Sequence, residues 1–550
     1  MGAFIVKKGV PCMSKTMIVT TALCYANGPF HLGHLVEQIQ ADIWVRAQRA
    51  QGHQCIFLSG EDAHGSAIML AAKKAGVSTE DYLAQVLAPR LNDLADFNIS
   101  YDTYHSTDTP ENKALCYEIY DRLNDHISTK DIQQLYDSEA NMFLPDRFIK
   151  GTCPKCGAED QYGDNCEQCG ACYDSTELLN PVSTLSQSKP ELRTSKHFFF
   201  ELVKQQAFII DWLKKADIQP QAINKLNEWL KEPLQDWDIS RDAPYFGFEI
   251  PNQPGKFFYV WLDAPIGYMA ALKAYCQKNP EHDFNALWWE KGVPVYHFIG
   301  KDILYFHAIF WPAVLNAAGL KAPDGVFTHG FLTINKVKMS KSRGTFITAR
   351  QFLDHYPSDA LRYYFASKLS NGIQDIDLDW PDFIQKINTD LVGKLVNIGS
   401  RCARIIEKHF ESSFYTDADA IFSHPLFEQL SALKPQILEA YDNRQFNTAV
   451  KLIMQGADLC NQFIDTQQPW SKVKQGLMQD GLLDCSIGFF AFLQLISFIA
   501  PITPDLADRV SSYIEQPLSL DVKYFSKLNQ SFPRLFERLS LVDFNEPIQS

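Results

Sequence analysis

Two segments of this 550-residue chain carry side chains suited to polyphosphate chemistry: His31-Leu32-Gly33-His34 near the start, and Lys338-Met339-Ser340-Lys341-Ser342 past the middle. The first follows a β-branched run, Met17 to Thr21, and a turn-rich stretch, Leu23 to Phe30. It precedes an apolar helical pattern from Leu35 to Arg49. Strand, loop and helix N-terminus in that order offer unpaired N–H groups and the positive end of a helix dipole to a phosphate. His31 and His34 add imidazole donors, and Gly33 lets a nucleotide approach closely. The second segment follows a hairpin-like pattern, Phe331 to Ile334 then Val337 to Met339, and runs into Gly344. Lysines on flexible stems suit a mobile loop closing over a polyphosphate. Each segment alone has an ordinary explanation, as a helix start or a solvated loop; together they point to an ATP site.

A second chemistry lies between them. Cys153-Pro154-Lys155-Cys156 and Cys166-Glu167-Gln168-Cys169 are two C-X-X-C knuckles separated by a short polar loop. Four thiolates at that spacing suit tetrahedral Zn2+, and with no open position the ion is expected to be structural, folding a loop too polar to fold alone. Cys172 also completes a C-X-X-C and is the alternative to Cys169.

The elements that position these groups follow an α/β pattern. From Lys15 to about Asn124, strand-like runs (Met17 to Thr21, Cys55 to Ser59) alternate with helical ones (Leu35 to Arg49, Ser66 to Ala75), as in a doubly wound parallel sheet. No Gly-X-Gly-X-X-Gly follows the first strand, and Gly300-Lys301 is followed by Asp302 where a phosphate loop needs Ser or Thr. The rhythm breaks from about Asp125 to Pro251, which reads as an insertion. It returns at Phe257 to Trp261 and Val295 to Ile299, with a helical run from Asp302 to Ala317 completing the sheet layer. From Leu391 the pattern is helical to the C-terminus. Leu391, Leu395, Ile398, Cys402 and Ile405 form one stripe flanked by Lys394, Asn397, Arg401 and Arg404. The expected division is 14–124 and 252–332 for the two catalytic halves, 125–251 for the insertion, 333–390 for the lysine loop and a short mixed region, and 391–550 for the helical domain.

Bulk properties bound the partners. The formal charge of −14 excludes indiscriminate nucleic-acid binding but leaves room for a confined, salt-sensitive RNA track. The most apolar window, Ile487 to Ile502, is interrupted by Gln494 and Ser497 and ends at Pro501, so it reads as a buried helix and no membrane partner is expected. Thirteen cysteines without a secretory signal predict reduced thiols and a cytoplasmic setting. Met13 is an alternative start.

The paired signatures resemble those of class I aminoacyl-tRNA synthetases. Tyr25-Ala26-Asn27-Gly28, Phe258 through Tyr268, His297 through Asp302, Asp236 through Arg241 and the cysteine knuckles resemble the methionyl branch of that family in its four-cysteine bacterial form. The likeness implies a Rossmann-like sheet split by the zinc-binding insertion, then an all-α helical bundle. It also implies L-methionine activation with ATP and transfer to tRNA(Met), initiator and elongator. His31, His34, Lys338 and Lys341 would then be catalytic, with Gly33, Gly300 and Asp302 on ATP and Mg2+ on the leaving group. The methionine pocket would comprise Leu23, Tyr25, Asp62, Trp261, Ala264, Pro265, Tyr268, Ile303, Phe306 and His307, aromatic and lightly polar as a thioether requires. Asp62 would take the substrate ammonium. Asn397, Arg401 and Trp470 would read the anticodon, and residues 333–390 would contact the acceptor stem.

The chain departs from the family pattern at Cys24, where proline is common, which implies a looser loop with unchanged chemistry. The insertion is too small for a separate editing domain, so homocysteine rejection would fall to the synthetic site. Without an appended dimerising module a monomer is expected. The competing readings are a class I synthetase for another amino acid, a nucleotidyltransferase, and a non-catalytic RNA-binding paralogue.

Overall fold

A computed structural model describes residues 14–163, 166, 168–169, 171, 173–289, 293–339, 346–542 and 544. Its central sheet is parallel, in the spatial order Asp217–Ile218, Gly325–His329, Val295–Gly300, Thr16–Thr21, Gln54–Asp62, with Cys24–Tyr25 and Thr103–Ser106 both paired to Gln54–Asp62. Both faces are covered, so the middles of the central strands are apolar on both sides, as in Met17–Val19 and Cys55–Leu58. Val19, Phe57, Phe298 and Phe327 enter one core, beneath the helix Leu32–Ala50. Their neighbours Ile18, Ile56, Ile299 and Val326 enter the other, beneath Val260–Lys278. The period-2 alternation of strand side chains produces this division.

Strand order reverses at Thr16–Thr21, which has a first-half strand on one side and a second-half strand on the other. In open α/β sheets the crevice beyond such a point is where ligands bind. The loop 22–31 emerges there.

The inserted segment is an antiparallel ribbon of Ile127–Asp137 with Glu191–Phe200, carrying the cysteine knuckles on the small sheet of Ile149–Thr152, Gln161–Tyr162 and Leu179–Ser183. Its later part does not stay apart. Asp217–Ile218 pairs with Gly325–Val326 in the central sheet, and Ile209, Trp212, Ala222 and Leu226 enter the second core.

The C-terminal region packs helices Asn397–His409, Pro425–Asp442, Phe446–Gln467, Met478–Ile499 and Pro504–Ile514. Met478–Ile499 is buried among its neighbours, as its polar interruptions implied. A fully buried Arg362 locks this bundle to the catalytic layer, donating to Asp42 (2.6 Å), Phe97 O and Ile502 O. The expectation of helix to the C-terminus fails after Ile514. Residues 515–542 run without helix, held by Leu528 N–H to Ser412 O, Leu539 to the Asn388 side chain, and the Tyr356 hydroxyl to Ser540 O. Pro517 and Pro533 break the helical ladder in this stretch. The apolar stripe also shifts: Ile406 is fully buried and Ile405 only half, after widened π-type turns across Ile387–Val396 change the helix phase.

Candidate active site

The histidine segment is a helix N-terminus capped by its own imidazoles. His31 Nδ1 accepts from Gly33 N–H (3.1 Å), and His31 N–H donates to His34 Nδ1 (3.2 Å). The two rings stack 3.7 Å apart. Because both Nδ1 atoms accept, each neutral ring carries its proton on Nε2 and presents an N–H donor. Burial, reinforced by His31 and Arg90, holds His34 well below the ordinary imidazole value, so it is neutral at pH 7.

The second signature is fastened to the first. Leu32 N–H donates to Ile347 O (3.1 Å) and Ala349 N–H to Phe30 O (2.9 Å), while the Phe346 ring meets His31 edge-on at 5.2 Å. Met339 packs so closely on Gly33 that any Cβ there would collide with it. The expected hairpin forms, with Leu332–Ile334 antiparallel to Val337–Lys338. Asn335 and Lys336, both at positive φ, make its turn. Lys341 lies outside the described residues, as do the side chain of Lys338 and Cys172.

A cavity of about 560 Å³ opens at this junction, walled by His31, Gly33, His34, Gly300 and Asp302. Tyr25, expected on the methionine pocket, lines this larger cavity. Lys301 turns away, its Nζ 2.5 Å from Asp375 Oδ1 and over the Phe331 ring. Glu37 and His329 also face the cavity, a pair the sequence reading missed, with Glu37 Oε2 3.7 Å from His329 Nε2. Burial raises the Glu37 carboxyl against the opposing pull of His329. An acid one turn after His34 on a buried helix face was the available signal.

A smaller cavity of about 120 Å³ adjoins it, sharing Leu23 and Ile303 and lined by Asp62, Trp261, Ala264, Pro265, Tyr268, Phe306 and His307. The stretch read as a returning sheet strand, Phe257 to Trp261, is divided. Lys256–Phe258 pairs with Ser240–Asp242 and, through Phe257, with Glu249, away from the central sheet, and the helix Val260–Lys278 begins at once. Aromatic and β-branched residues mimic a sheet strand there, but helical spacing puts residues 261, 264, 265 and 268 on one face. Trp261, 39% exposed, stacks on Trp237 and meets Phe306 edge-on at 4.0 Å.

The polar groups of this pocket are few and defined. His307 Nδ1 lies 3.0 Å from Ile303 O, a pure acceptor, so Nδ1 carries the proton and Nε2 accepts from the Tyr268 hydroxyl. Burial lowers His307 to about 4, which keeps it neutral. Asp62 Oδ1 is buried with no hydrogen-bond partner among the described residues. Burial, then the Asp263 charge, pushes the Asp62 carboxyl well up, with His64 pulling the other way. His64 sits between Asp263 and Asp108; burial opposes its charge, but the two carboxylates win and raise it to about 10. The pocket therefore ends in a buried acid whose Oδ1 meets no donor or cation directly among the described residues.

The four predicted cysteines converge. Their Sγ atoms lie within 4.8 Å of one another, with Cys153 to Cys169 at 3.9 Å and Cys156 to Cys166 at 3.6 Å. Tetrahedral thiolates about 2.3 Å from one ion sit about 3.8 Å apart, so the donor set fits a metal ion. Lys155 N–H and Cys169 N–H donate to Sγ of Cys153 and Cys166, and at Cys153 such backbone donors help lower the thiol against the burial that raises it.

In the helical region Asn397 and Arg401 lie one turn apart. The Arg401 guanidinium lies over the Trp470 ring at 4.9 Å and pairs with Asp465 at 2.6 Å. Trp470 lies in the first turn of the short helix Pro469–Lys474, after Gln468, whose positive φ turns the chain.

The family description "tRNA synthetases class I (M)" matches residues 17–403. Two solved structures of the Mycobacterium tuberculosis methionyl-tRNA synthetase, each with methionyl-adenylate, share this fold at 23% identity. The first has a TM-score of 0.76 and covers 94% of this chain and 99% of that one; the second has 0.74, covering 91% and 94%.

Proposed function

The chain belongs to the class I tRNA synthetases of the (M) family, and from that membership we propose that it activates L-methionine with ATP and charges tRNA(Met). The observation that carries the amino-acid assignment is the small aromatic cavity ending in buried Asp62, whose Oδ1 has no partner among the described residues, and opening into the larger histidine-lined cavity. A thioether chain fills an apolar slot of that size, and its ammonium supplies a donor to that oxygen. The methionyl-adenylate in the two similar structures supports the same reading.

The chemistry needs no protein nucleophile. A methionine carboxylate oxygen bonds to the α-phosphorus of ATP as the bond to pyrophosphate breaks, so catalysis is positioning and charge stabilisation. The Nε2–H groups of His31 and His34 donate to phosphate oxygens, with Lys341, assisted by Lys338, arriving from the loop. Neutral rings donate without charge, so the net charge on the leaving pyrophosphate falls to the lysines and to Mg2+. Gly33, Gly300 and Asp302 hold the nucleotide, and Tyr25 lies where amino acid and nucleotide meet. Cys153, Cys156, Cys166 and Cys169 would hold Zn2+, which would keep the knuckles folded. Asn397, Arg401 and Trp470 read the anticodon by stacking and base-edge bonds. Thiolate metal ligands accord with a cytoplasmic setting.

Pyrophosphate exchange into ATP, run separately with each amino acid, tests this. Exchange with methionine alone is the expected result. Exchange with a different amino acid would reassign the substrate, and none at all would indicate a non-catalytic RNA-binding protein.

A further inference from the structure

Before His31 the short strand Cys24–Tyr25 and the turn after it present several carbonyls to one side chain. Arg90, on the helix Thr79–Asp96, is 1% exposed. Its Nε donates to Gly28 O (2.8 Å), Nη2 to Tyr25 O (2.8 Å), and Nη1 lies 3.4 Å from Cys24 O. Nη1 also meets the buried Glu61 carboxylate, whose other oxygen takes the Tyr104 hydroxyl. The Phe30 ring lies 4.7 Å from the guanidinium carbon. One turn along the same helix, Asp93 accepts from Arg350 (2.8 Å), and Asp96 accepts there too (2.7 Å). Arg350 directly follows the segment that pairs with Phe30 and Leu32. One helix thus grips the roots of both signature segments.

We propose that Arg90 is a positioning residue for nucleotide chemistry: by holding the carbonyls of Cys24, Tyr25 and Gly28 it sets the loop that presents His31 and His34 to the phosphates. This rests on the activation reading above. The planar fork is essential, because only a guanidinium satisfies several carbonyls at fixed angles while pairing with a carboxylate. A lysine keeps the charge opposite Glu61 and loses the fork, so Arg90→Lys separates positioning from stability.

The test compares full-length wild type and Arg90→Lys in methionine-dependent pyrophosphate exchange, methionine binding without ATP, and thermal melting. The expected result is a melting temperature and methionine affinity close to wild type, a kcat for exchange lower by about tenfold to a hundredfold, and a raised KM for ATP. Arg90→Met combined with Glu61→Gln, which leaves no unpaired buried charge, should show a larger loss of kcat. Folded Arg90→Lys with wild-type kcat and KM for ATP overturns the proposal. So does a loss in which methionine affinity and melting temperature fall in step with kcat. Absence of exchange in the wild type would remove the activation reading itself, and this inference with it.

Discussion

The Tyr268 hydroxyl donates to Nε2 of His307 across 2.7 Å, and the direction is fixed by Ile303 O, which claims the proton on the other ring nitrogen. Burial keeps His307 neutral, at about 4. The unfolded ring takes its proton near pH 6.5. Between those values the unfolded chain binds more protons than the folded one, so stability rises with pH across that window and falls as acid is added. Thermal melting from pH 7 to pH 4 should show this loss, and His307→Gln should flatten it. Tyr268→Phe leaves the buried Nε2 without its donor, at about 1–3 kcal/mol. Its expected signature is a higher KM for methionine with KM for ATP unchanged.

Asp62→Asn removes the counter-charge for the ammonium and should weaken methionine binding by about a hundredfold to several thousandfold, as breaking a buried ion pair costs about 3–5 kcal/mol. Equilibrium dialysis with radiolabelled methionine checks it. Because burial and Asp263 raise Asp62, methionine affinity should fall as pH drops and the free enzyme protonates this group. His64→Gln, which removes the opposing charge, should move that fall to higher pH. Unchanged affinity in Asp62→Asn would place the ammonium elsewhere.

Lys341→Ala should lower adenylate formation about a hundredfold, about 3 kcal/mol of transition-state stabilisation, and leave methionine binding intact. Single-turnover kinetics separate the two. Equal losses in both would deny Lys341 its assigned role.

Cys166→Ser should reduce bound zinc, measured by elemental analysis of the purified protein, and lower the melting temperature. The apolar cluster nearest the knuckles is small, comprising Leu135, Met142, Leu144, Phe148, Ile149 and Leu178. It is too little to hold that lobe alone. A full equivalent of zinc in the variant would exclude Cys166 as a ligand.

Trp470→Ala should raise KM for tRNA about fivefold to a hundredfold, since one base stacking on an aromatic ring contributes about 1–3 kcal/mol. Amino-acid activation should be untouched, because the helical region lies beyond the residues that line the two cavities. Normal charging by a folded variant would return Trp470 to a packing role.

Chemistry was more legible in the sequence than geometry. The histidine junction and the cysteine knuckles were readable because local spacing dictates them, whereas the pocket residues on Val260–Lys278 came only with the family resemblance, the start of that stretch reading as a strand. What escaped depends on distant partners. A two-residue strand such as Asp217–Ile218 has no periodicity to detect and exists only because Gly325–Val326 lies alongside. Glu37 and His329 are far apart in the chain and meet only in the fold. Arg90 carries no signal in the sequence; its burial appears only once the loop carbonyls surround it. The tail after Ile514 was misread because its apolar residues, packed on the bundle in extended form, resemble a helix stripe.

The strand reversal at Thr16–Thr21 also orders events during synthesis. Thr20 binds His297 across 277 positions, so the sheet cannot be completed until the second half of the chain has been made. At about 5–20 residues per second, the first half-sheet waits roughly 15–60 seconds with one edge unpaired. Such an edge is a template for wrong pairing with other chains. The nascent enzyme is therefore most vulnerable to aggregation in that interval, and it cannot assemble its nucleotide site before the residues around 350 leave the ribosome.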